Sequence, residues 1–183
     1  ECVALSGGLD SSVLLAALAR VRTRPLRALH VDHGLHPDAA SWSAHSVALA
    51  ARCGVACEVV RVNATAARGE SPEAAARVAR YAALAGRLRS GEALLTAQHG
   101  DDQLETVLLQ WLRGGGLRAV AGMRPVAPFA DGWRVRPLLG FTRKVLEGWA
   151  RGQGLEWLED PSNADPRFDR NFLRREVLPV IER

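Results

Sequence analysis

The chain begins with Glu1–Ser12, ECVALSGGLDSS, in which an apolar run ends at a pair of glycines and a helical pattern follows at once. The glycines allow a tight turn whose backbone N–H groups point inward, and the next helix adds the partial positive charge of its N-terminus. Such a turn is typical of a phosphate cradle, to which the three serines add hydroxyl donors. The carboxylate of Asp10 conflicts with a simple anion site. The alternative interpretation is therefore a tight turn in which Asp10 caps the helix.

Strand-like and helix-like segments alternate along most of the chain. Apolar runs predict strands at Cys2–Leu5, Leu26–Val31, Ala56–Val62 and Ala93–Ala97. Helical patterns separate them at Ser11–Arg20, Ser41–Cys53, Pro72–Arg89 and Asp101–Arg113. This alternation predicts an α/β fold with a doubly wound, mainly parallel sheet and helices on both faces. Weaker patterns predict a strand at Trp133–Leu139 and helices at Thr142–Gln153 and Asn171–Ile181.

Three polar segments follow predicted strands and are the candidate functional segments. They are Ser6–Ser12, Asp32–His36 and Gln98–Glu105. Ligands of open α/β sheets bind at the carboxyl ends of the strands, so these three segments are expected to meet at one edge. No linker divides the chain. Residues 1–183 are therefore expected to form one domain, with 124–183 as its C-terminal subregion.

The composition is that of an ordinary globular protein, with 48% hydrophobic and 24% charged residues among 183. No apolar run approaches the roughly 20 residues of a membrane helix. A formal net charge of +4 permits a polyanionic partner without requiring one. Cys2, Cys53 and Cys57 form no CxxC pair, and we interpret them as buried thiols. The alternative is that they take part in redox chemistry or metal binding. This cysteine usage is compatible with a reducing, cytoplasmic setting.

Four motifs resemble one protein family. SGGLDSS is similar to the SGGxDS signature of the PP-loop, or N-type, ATP pyrophosphatases, which have an adenine nucleotide alpha hydrolase-like fold. Three later stretches resemble the tRNA(Ile)-lysidine synthetases within that superfamily. They are HVDHGLHPDAASW (His30–Trp42), AQHGDDQLETVLLQWLRGGGLRAVAGM (Ala97–Met123) and EDPSNADPRFDRNFLRREVLP (Glu159–Pro179). Together the four motifs span nearly the whole chain in the family's order.

This resemblance implies an ATP-dependent ligase that joins lysine to the wobble cytidine of the CAU anticodon of isoleucine tRNA. The reaction would pass through an adenylated cytidine and release pyrophosphate and then AMP. The implied cofactors are ATP and Mg²⁺, the implied partners are that tRNA and L-lysine, and a homodimer is compatible with the family. Many members carry further C-terminal domains that bind tRNA, and we expect none in these residues.

The resemblance also assigns roles to individual residues. The ATP-binding set is Ser6, Gly7, Gly8, Leu9, Asp10, Ser11, Ser12, Gly34 and His99, with Asp10 also holding Mg²⁺ through ATP. The lysine-binding set is Arg80, Asp102 and Glu105, in which the two carboxylates hold the ammonium and one takes its proton. The catalytic set is Asp10, Asp102 and Glu105. The set for tRNA or phosphate is Arg170, Asn171 and Arg174.

Several of these residues also fit a purely structural role. Arg80 also fits a solvated helix face, and Arg170, Asn171 and Arg174 also fit ordinary chemistry at the start of a helix. His30, His33, His36 and His99 suggest a zinc site, which we disfavour because strand alternation separates their side chains. For the whole chain, the alternatives are a PP-loop tRNA thiolase, which usually relies on positioned cysteines, or a nucleotide-binding module without catalysis.

Overall fold

A six-stranded sheet forms the centre of the protein. The computed structural model describes residues 1–34, 37–66, 69, 71–116, 120–160 and 169–181, without the side chains of residues 72 and 73. The strands are β1 (Cys2–Ala4), β2 (Arg27–Asp32), β3 (Ala56–Arg61), β4 (Ala93–Leu95), β5 (Val126–Phe129) and β6 (Gly132–Val135). Their order in the sheet is β3-β2-β1-β4-β6-β5. All neighbours are parallel except β5 and β6, so the mainly parallel sheet is confirmed.

The helices connect and flank these strands. They are α1 (Leu9–Val21), α2 (Ala39–Arg52), α3 (Pro72–Arg87), α4 (Gly100–Leu112) and α5 (Arg143–Gly152). A last helix, α6, starts as Asp169–Phe172, continues through a π-helical segment at Leu173–Val177 and ends as Leu178–Ile181. No helix in the described ranges is long and apolar enough to cross a membrane.

The sheet has an apolar core on each face because alternate strand residues point in opposite directions. Val3 of β1 packs in a cluster that includes Leu15 of α1, Leu49 of α2 and Leu146 of α5. Its neighbour Cys2 packs on the other face, in a cluster with residues of α3. The doubly wound arrangement with helices on both faces is thus confirmed.

The edge hairpin differs from the sequence prediction. The predicted strand Trp133–Leu139 is observed as β6, which pairs with the unpredicted strand β5 across a two-residue turn at Ala130 and Asp131. Pro128 lies within β5, and proline is tolerated there because an edge strand need not donate every backbone hydrogen bond. The same proline weakens the strand signal in the sequence.

Candidate active site

The loop between β1 and α1 is held in shape by its glycines. Gly7 has φ +84°, and a Cβ placed on it would lie 2.8 Å from Ser46 Oγ and 3.1 Å from Leu158 Cδ1. The carbonyl oxygen of Gly7 accepts a 2.9 Å hydrogen bond from the backbone N–H of Leu158. Glycine is therefore required here by both conformation and space, and the loop is pinned to the segment that follows α5.

The serine hydroxyls brace the loop from within. Ser11 Oγ accepts the backbone N–H of Ser6 at 3.1 Å and donates to the carbonyl oxygen of Gly8 at 3.1 Å. Ser12 is fully buried, and its Oγ donates to the same Gly8 oxygen at 2.8 Å. These bonds fix the turn that leads into Leu9, the first residue of α1. The first N–H groups of a helix have no partner within that helix.

Asp10 does not cap α1, because the cap position is Gly8. Its carboxylate is one-third exposed and lies across from His99, with 3.6 Å between Asp10 Oδ2 and His99 Nε2. The other oxygen, Asp10 Oδ1, is buried without a hydrogen-bond partner among the described residues. The alternative interpretation of Asp10 as a helix cap is therefore wrong, and a polar atom beside the loop is left unsatisfied.

His99 joins the loop to the start of α4. It caps α4 and is 1% exposed, and its Nε2 lies 3.5 Å from Asp102 Oδ2 in addition to the contact with Asp10. Its Nδ1 lies 3.8 Å from Asp101 Oδ2. Burial lowers the pKa of His99, but the three surrounding carboxylates outweigh it and hold that pKa above the ordinary value. The raised pKa favours the imidazolium form, whose charge would partly neutralise this group of carboxylates.

Glu105 lies one turn after Asp102 and is 0% exposed. Arg174 of α6 donates to Glu105 Oε1 from Nε at 2.8 Å, and its Nη2 lies 2.7 Å from the same oxygen. Glu105 Oε2 is buried and has no hydrogen-bond partner in the described part of the chain. Burial raises the pKa of Glu105, and Arg174 opposes the rise without cancelling it. The predicted lysine-binding pair is therefore brought together at one place.

Two of the α6 residues that were singled out, Arg170 and Arg174, lie beside the same pair. Arg170 Nη1 is 3.9 Å from Asp102 Oδ1, and Arg170 Nη2 donates to Thr106 Oγ1 at 3.2 Å. Arg174 Nη2 is also 3.9 Å from Asp102 Oδ1, and Asn171 is buried. Thr106 in turn donates to the backbone carbonyl of Asp102 at 2.7 Å. The start of α6 thus closes one side of the site.

Sequence reasoning missed that Asp101, which lies near His99, also contacts α5. Its Oδ2 accepts the backbone N–H of Arg143, the first residue of α5, at 2.9 Å. Beside it, the backbone N–H of Gly100 donates to the carbonyl oxygen of Phe141 at 2.7 Å. The pair of aspartates at the start of α4 can be recognised in the sequence. The contact with α5 cannot, because it joins residues that are 42 positions apart.

Gly34 and Arg80 lie near the carboxyl end of β2. The backbone N–H of Gly34 donates to Asp32 Oδ1 at 2.9 Å, and a Cβ on Gly34 would meet open space. Burial lowers the pKa of His33, and the positive charge of Arg80 lowers it further, which places Arg80 within electrostatic range of this edge. The structure thus brings both residues to the carboxyl edge of the sheet.

The histidines have separate surroundings. His30 is buried, and its Nδ1 lies 2.9 Å from the carbonyl oxygen of Leu5, a contact that joins β2 to the loop. His36 lies outside the described residues. Among the side chains that are described, no three of His, Cys, Asp or Glu are arranged to hold a metal ion on their own.

Comparison with known proteins decides the family. The PP-loop domain profile matches residues 1–181. The chain belongs to the PP-loop family. The resemblance of the SGGLDSS loop to the PP-loop signature is thereby confirmed.

Curated relatives of this PP-loop chain are named tRNA(Ile)-lysidine synthase. The protein from Methylococcus capsulatus is 51% identical over 98% of this chain and 42% of its own length. Those from Alkalilimnicola ehrlichii and Pseudomonas aeruginosa are 54% and 53% identical, over 98% of this chain and 41% of their own lengths. The chain thus spans about two fifths of these relatives. The sequence resemblance to the tRNA(Ile)-lysidine synthetases is confirmed.

A solved structure shares the fold. The U34-tRNA thiolase NcsA from Methanococcus maripaludis, with its [4Fe-4S] cluster, matches 99% of this chain and 65% of its own with a TM-score of 0.76. Its sequence is 16% identical, so this likeness supports the α/β PP-loop architecture alone.

The residues of this PP-loop site fit a magnesium ion. Mg²⁺ prefers oxygen ligands, and it usually takes one or two carboxylates and completes its shell with substrate phosphates and water. Asp10 Oδ1, unsatisfied and beside the phosphate loop, is such an oxygen. Asp10 is therefore the residue that would hold Mg²⁺ against the phosphates of ATP.

Proposed function

We propose that this PP-loop chain is the catalytic domain of a ligase that joins lysine to the wobble cytidine of the CAU anticodon of isoleucine tRNA. One observation carries the proposal. His99 lies 3.6 Å from Asp10 of the phosphate loop and 3.5 Å from Asp102 of α4, so the nucleotide end and the amine end of the site share one buried residue. The names of the curated relatives support the same reaction.

The first chemical step is adenylation. The ring carbonyl oxygen of the cytidine attacks the α-phosphorus of ATP, the bond between the α- and β-phosphates breaks, and pyrophosphate leaves. The loop Ser6–Ser12 positions the phosphates with its backbone N–H groups and the N-terminus of α1. Asp10 would hold Mg²⁺, which neutralises phosphate charge when bound. The chain contributes mainly positioning and electrostatic stabilisation to this step.

The second step is transfer to lysine. The ε-amine attacks the ring carbon that bears the adenylate, and AMP leaves with the carbonyl oxygen. An ammonium cannot attack, so a carboxylate must take one proton first. Asp102 and the unsatisfied Oε2 of Glu105 are the oxygens available to bind the ammonium. The raised pKa of Glu105 makes this carboxylate a better proton acceptor than an ordinary glutamate.

Thiolation, the runner-up, is less well supported. Cys2 begins β1, Cys57 is near the start of β3, and Cys53 follows α2, so all three lie toward the amino ends of the parallel strands. The site lies at the carboxyl ends. Burial raises the pKa of Cys2 to about 12 and also raises the pKa values of Cys53 and Cys57, which disfavours reactive thiolates. A module without catalysis would keep the loop but would not need the paired carboxylates of α4.

The decisive experiment combines two assays on the 183-residue chain, which we expect to act on cytoplasmic tRNA. ATP–pyrophosphate exchange should depend on isoleucine tRNA with the CAU anticodon and should vanish with a transcript carrying uridine at the wobble position. Radiolabelled lysine should enter the tRNA in an ATP-dependent manner. Label entering from cysteine sulfur would establish thiolation instead. Nucleotide binding without exchange or incorporation would favour the non-catalytic module.

A further inference from the structure

Four arginines converge on one tyrosine on the α3 face of the sheet. The guanidinium carbons of Arg77, Arg134 and Arg80 lie 5.2, 5.3 and 5.7 Å from the centre of the Tyr81 ring. Arg134 also lies 5.8 Å from the Phe129 ring, which packs edge-on against Tyr81. The fourth is Arg136, two residues after Arg134. We call Arg77, Arg80, Arg134 and Arg136 the arginine cluster.

The cluster concentrates positive charge. Burial raises the pKa of the Tyr81 hydroxyl, but Arg77, Arg134 and Arg80 outweigh it and hold that pKa below the ordinary value. Arg136 is only 6% exposed, and burial together with the charges of Arg134 and Arg77 lowers its pKa. Like charges held this close repel each other, so the charges of Arg77, Arg134 and Arg136 cost free energy unless an anion binds there.

Two buried donors of the cluster lack a partner among the residues that the structure describes. Arg134 Nε and Arg136 Nε are buried without hydrogen-bond partners in the described ranges. Arg77, Arg134 and Arg136 take part in none of the ion pairs formed by described side chains. Elsewhere arginines do pair with carboxylates, as Arg151 does with Glu147. Arg136 Nη1 donates to the carbonyl oxygen of Arg124, but the buried Nε remains unsatisfied, which makes the cluster more than a set of solvated surface charges.

The cluster adjoins the candidate active site. Arg134 pairs in register with Leu94 of β4, and Arg136 follows the carboxyl end of β6. There the backbone N–H of Thr96, in the segment leading to His99, donates to the carbonyl oxygen of Val135 at 2.9 Å. At the other end, the charge of Arg80 acts on His33. The cluster therefore continues the carboxyl edge of the sheet onto the α3 face.

We infer that the arginine cluster binds phosphodiester groups of the tRNA whose base enters the site. Arginine offers a planar fork that matches phosphate oxygens, and it stacks on aromatic rings while doing so. A single carboxylate, such as that of lysine, would leave most of the charge of Arg77, Arg134 and Arg136 uncompensated, whereas successive phosphates would neutralise it. This inference rests on the proposed function for the identity of the nucleic acid.

The test measures the affinity of the 183-residue chain for a fluorescein-labelled isoleucine tRNA transcript. Fluorescence anisotropy reports the binding at each of a series of salt concentrations. Arg77→Gln and Arg134→Gln should each weaken binding by roughly 3- to 10-fold. Each should also reduce the slope of log K against log salt by about 1, because one phosphate contact is lost. Arg77 is exposed, so Arg77→Gln alone carries the test if Arg134→Gln fails to fold.

Arg20→Gln is the matched control, because Arg20 stacks on the Trp149 ring at 5.4 Å but lies on α1, outside the cluster. It should leave both the affinity and the salt slope unchanged. Unchanged slopes in both cluster variants would overturn the inference. So would a rise in the lysine KM without a loss of tRNA binding, which would assign the cluster to the amino acid. If the wild-type chain binds tRNA and the cluster variants bind it more weakly, but no lysine is incorporated, the inference about the cluster stands and the ligase proposal is wrong.

Discussion

Arg174 and Glu105 form a one-sided ion pair, in which Nε and Nη2 of the arginine both contact Oε1 and none of the described residues satisfies Oε2. The pair joins α6 to the buried centre of α4 across 69 residues. It compensates the charge of a glutamate with no exposure to water, and it leaves Oε2 without a partner among the described residues. The pair therefore stabilises the packing of α6 on α4, and under the proposed function Oε2 would bind the substrate ammonium.

Arg174→Ala should lower the free energy of unfolding by about 2 kcal/mol, because it leaves a buried carboxylate without its partner. We place the value below that of a fully buried pair because the Arg174 side chain is one-third exposed. Urea unfolding measures it. Arg175→Ala, at the exposed neighbouring position, should change stability by less than about 0.5 kcal/mol. Adding Glu105→Gln to Arg174→Ala should restore part of the loss, and a purely additive double variant would contradict this account.

The two half-reactions should respond to different residues. Asp10→Ala and Asp10→Asn should both lower ATP–pyrophosphate exchange by about 100-fold or more, since alanine removes the oxygens expected to hold Mg²⁺ and asparagine removes their negative charge. Glu105→Gln should retain most of the exchange but lower lysine incorporation by about 100-fold. Glutamine suits this test better than alanine because Glu105 is fully buried and packed against Arg174.

Glu147→Gln is the control for these variants. Glu147 pairs with Arg151 on the surface of α5 and has no part in the site. It should change neither half-reaction. Equal losses of exchange and incorporation in Glu105→Gln would show that Asp10 and Glu105 do not divide the two steps as proposed.

The sequence predicted most of the sheet because each central strand is a short apolar run between helical patterns. It also placed Ser6–Ser12 and His99 at one edge, since the carboxyl ends of parallel strands meet there. The hairpin strand β5 was not predicted because Pro128 weakens the strand pattern in its sequence. The pairing of Glu105 with Arg174 had no local signal, because a contact across 69 residues depends on how α6 packs.

The arginine cluster could not be predicted from the sequence for a related reason. Arginine accounts for nearly all of the basic residues in this chain, so a single arginine carries little information. Arg77 and Arg134 meet at Tyr81 only because α3 packs against the face of the sheet to which Arg134 points. Charge clusters built from distant segments need the fold before they can be recognised.

Gly7→Ala should destabilise the domain by about 1 to 3 kcal/mol and weaken ATP binding. The positive φ strains an L-residue, and the added methyl would lie 2.8 Å from Ser46 Oγ. Gly8→Ala is the matched control for stability, because Gly8 has an extended backbone and its added Cβ would meet nothing closer than 3.6 Å. Thermal unfolding measures both variants, and equal losses would show that φ at Gly7 is not limiting.

The stability that His99 contributes should be lost as the pH rises through its pKa. The neighbouring carboxylates hold this pKa above its ordinary value, so the folded protein binds the proton more tightly than the unfolded chain does. The resulting stabilisation is fully present below about pH 6.5 and is lost as the pH rises through the folded-state pKa. Burial lowers the pKa values of His30 and His33, so these two residues act in the opposite direction. Urea unfolding between about pH 5.5 and 8.5 should therefore show a more negative slope of stability against pH in the wild type than in His99→Gln. His45→Gln, on α2, controls for the loss of any histidine and should keep the wild-type slope. A His99→Gln variant with the wild-type slope would show that this imidazole does not hold its proton against the carboxylates.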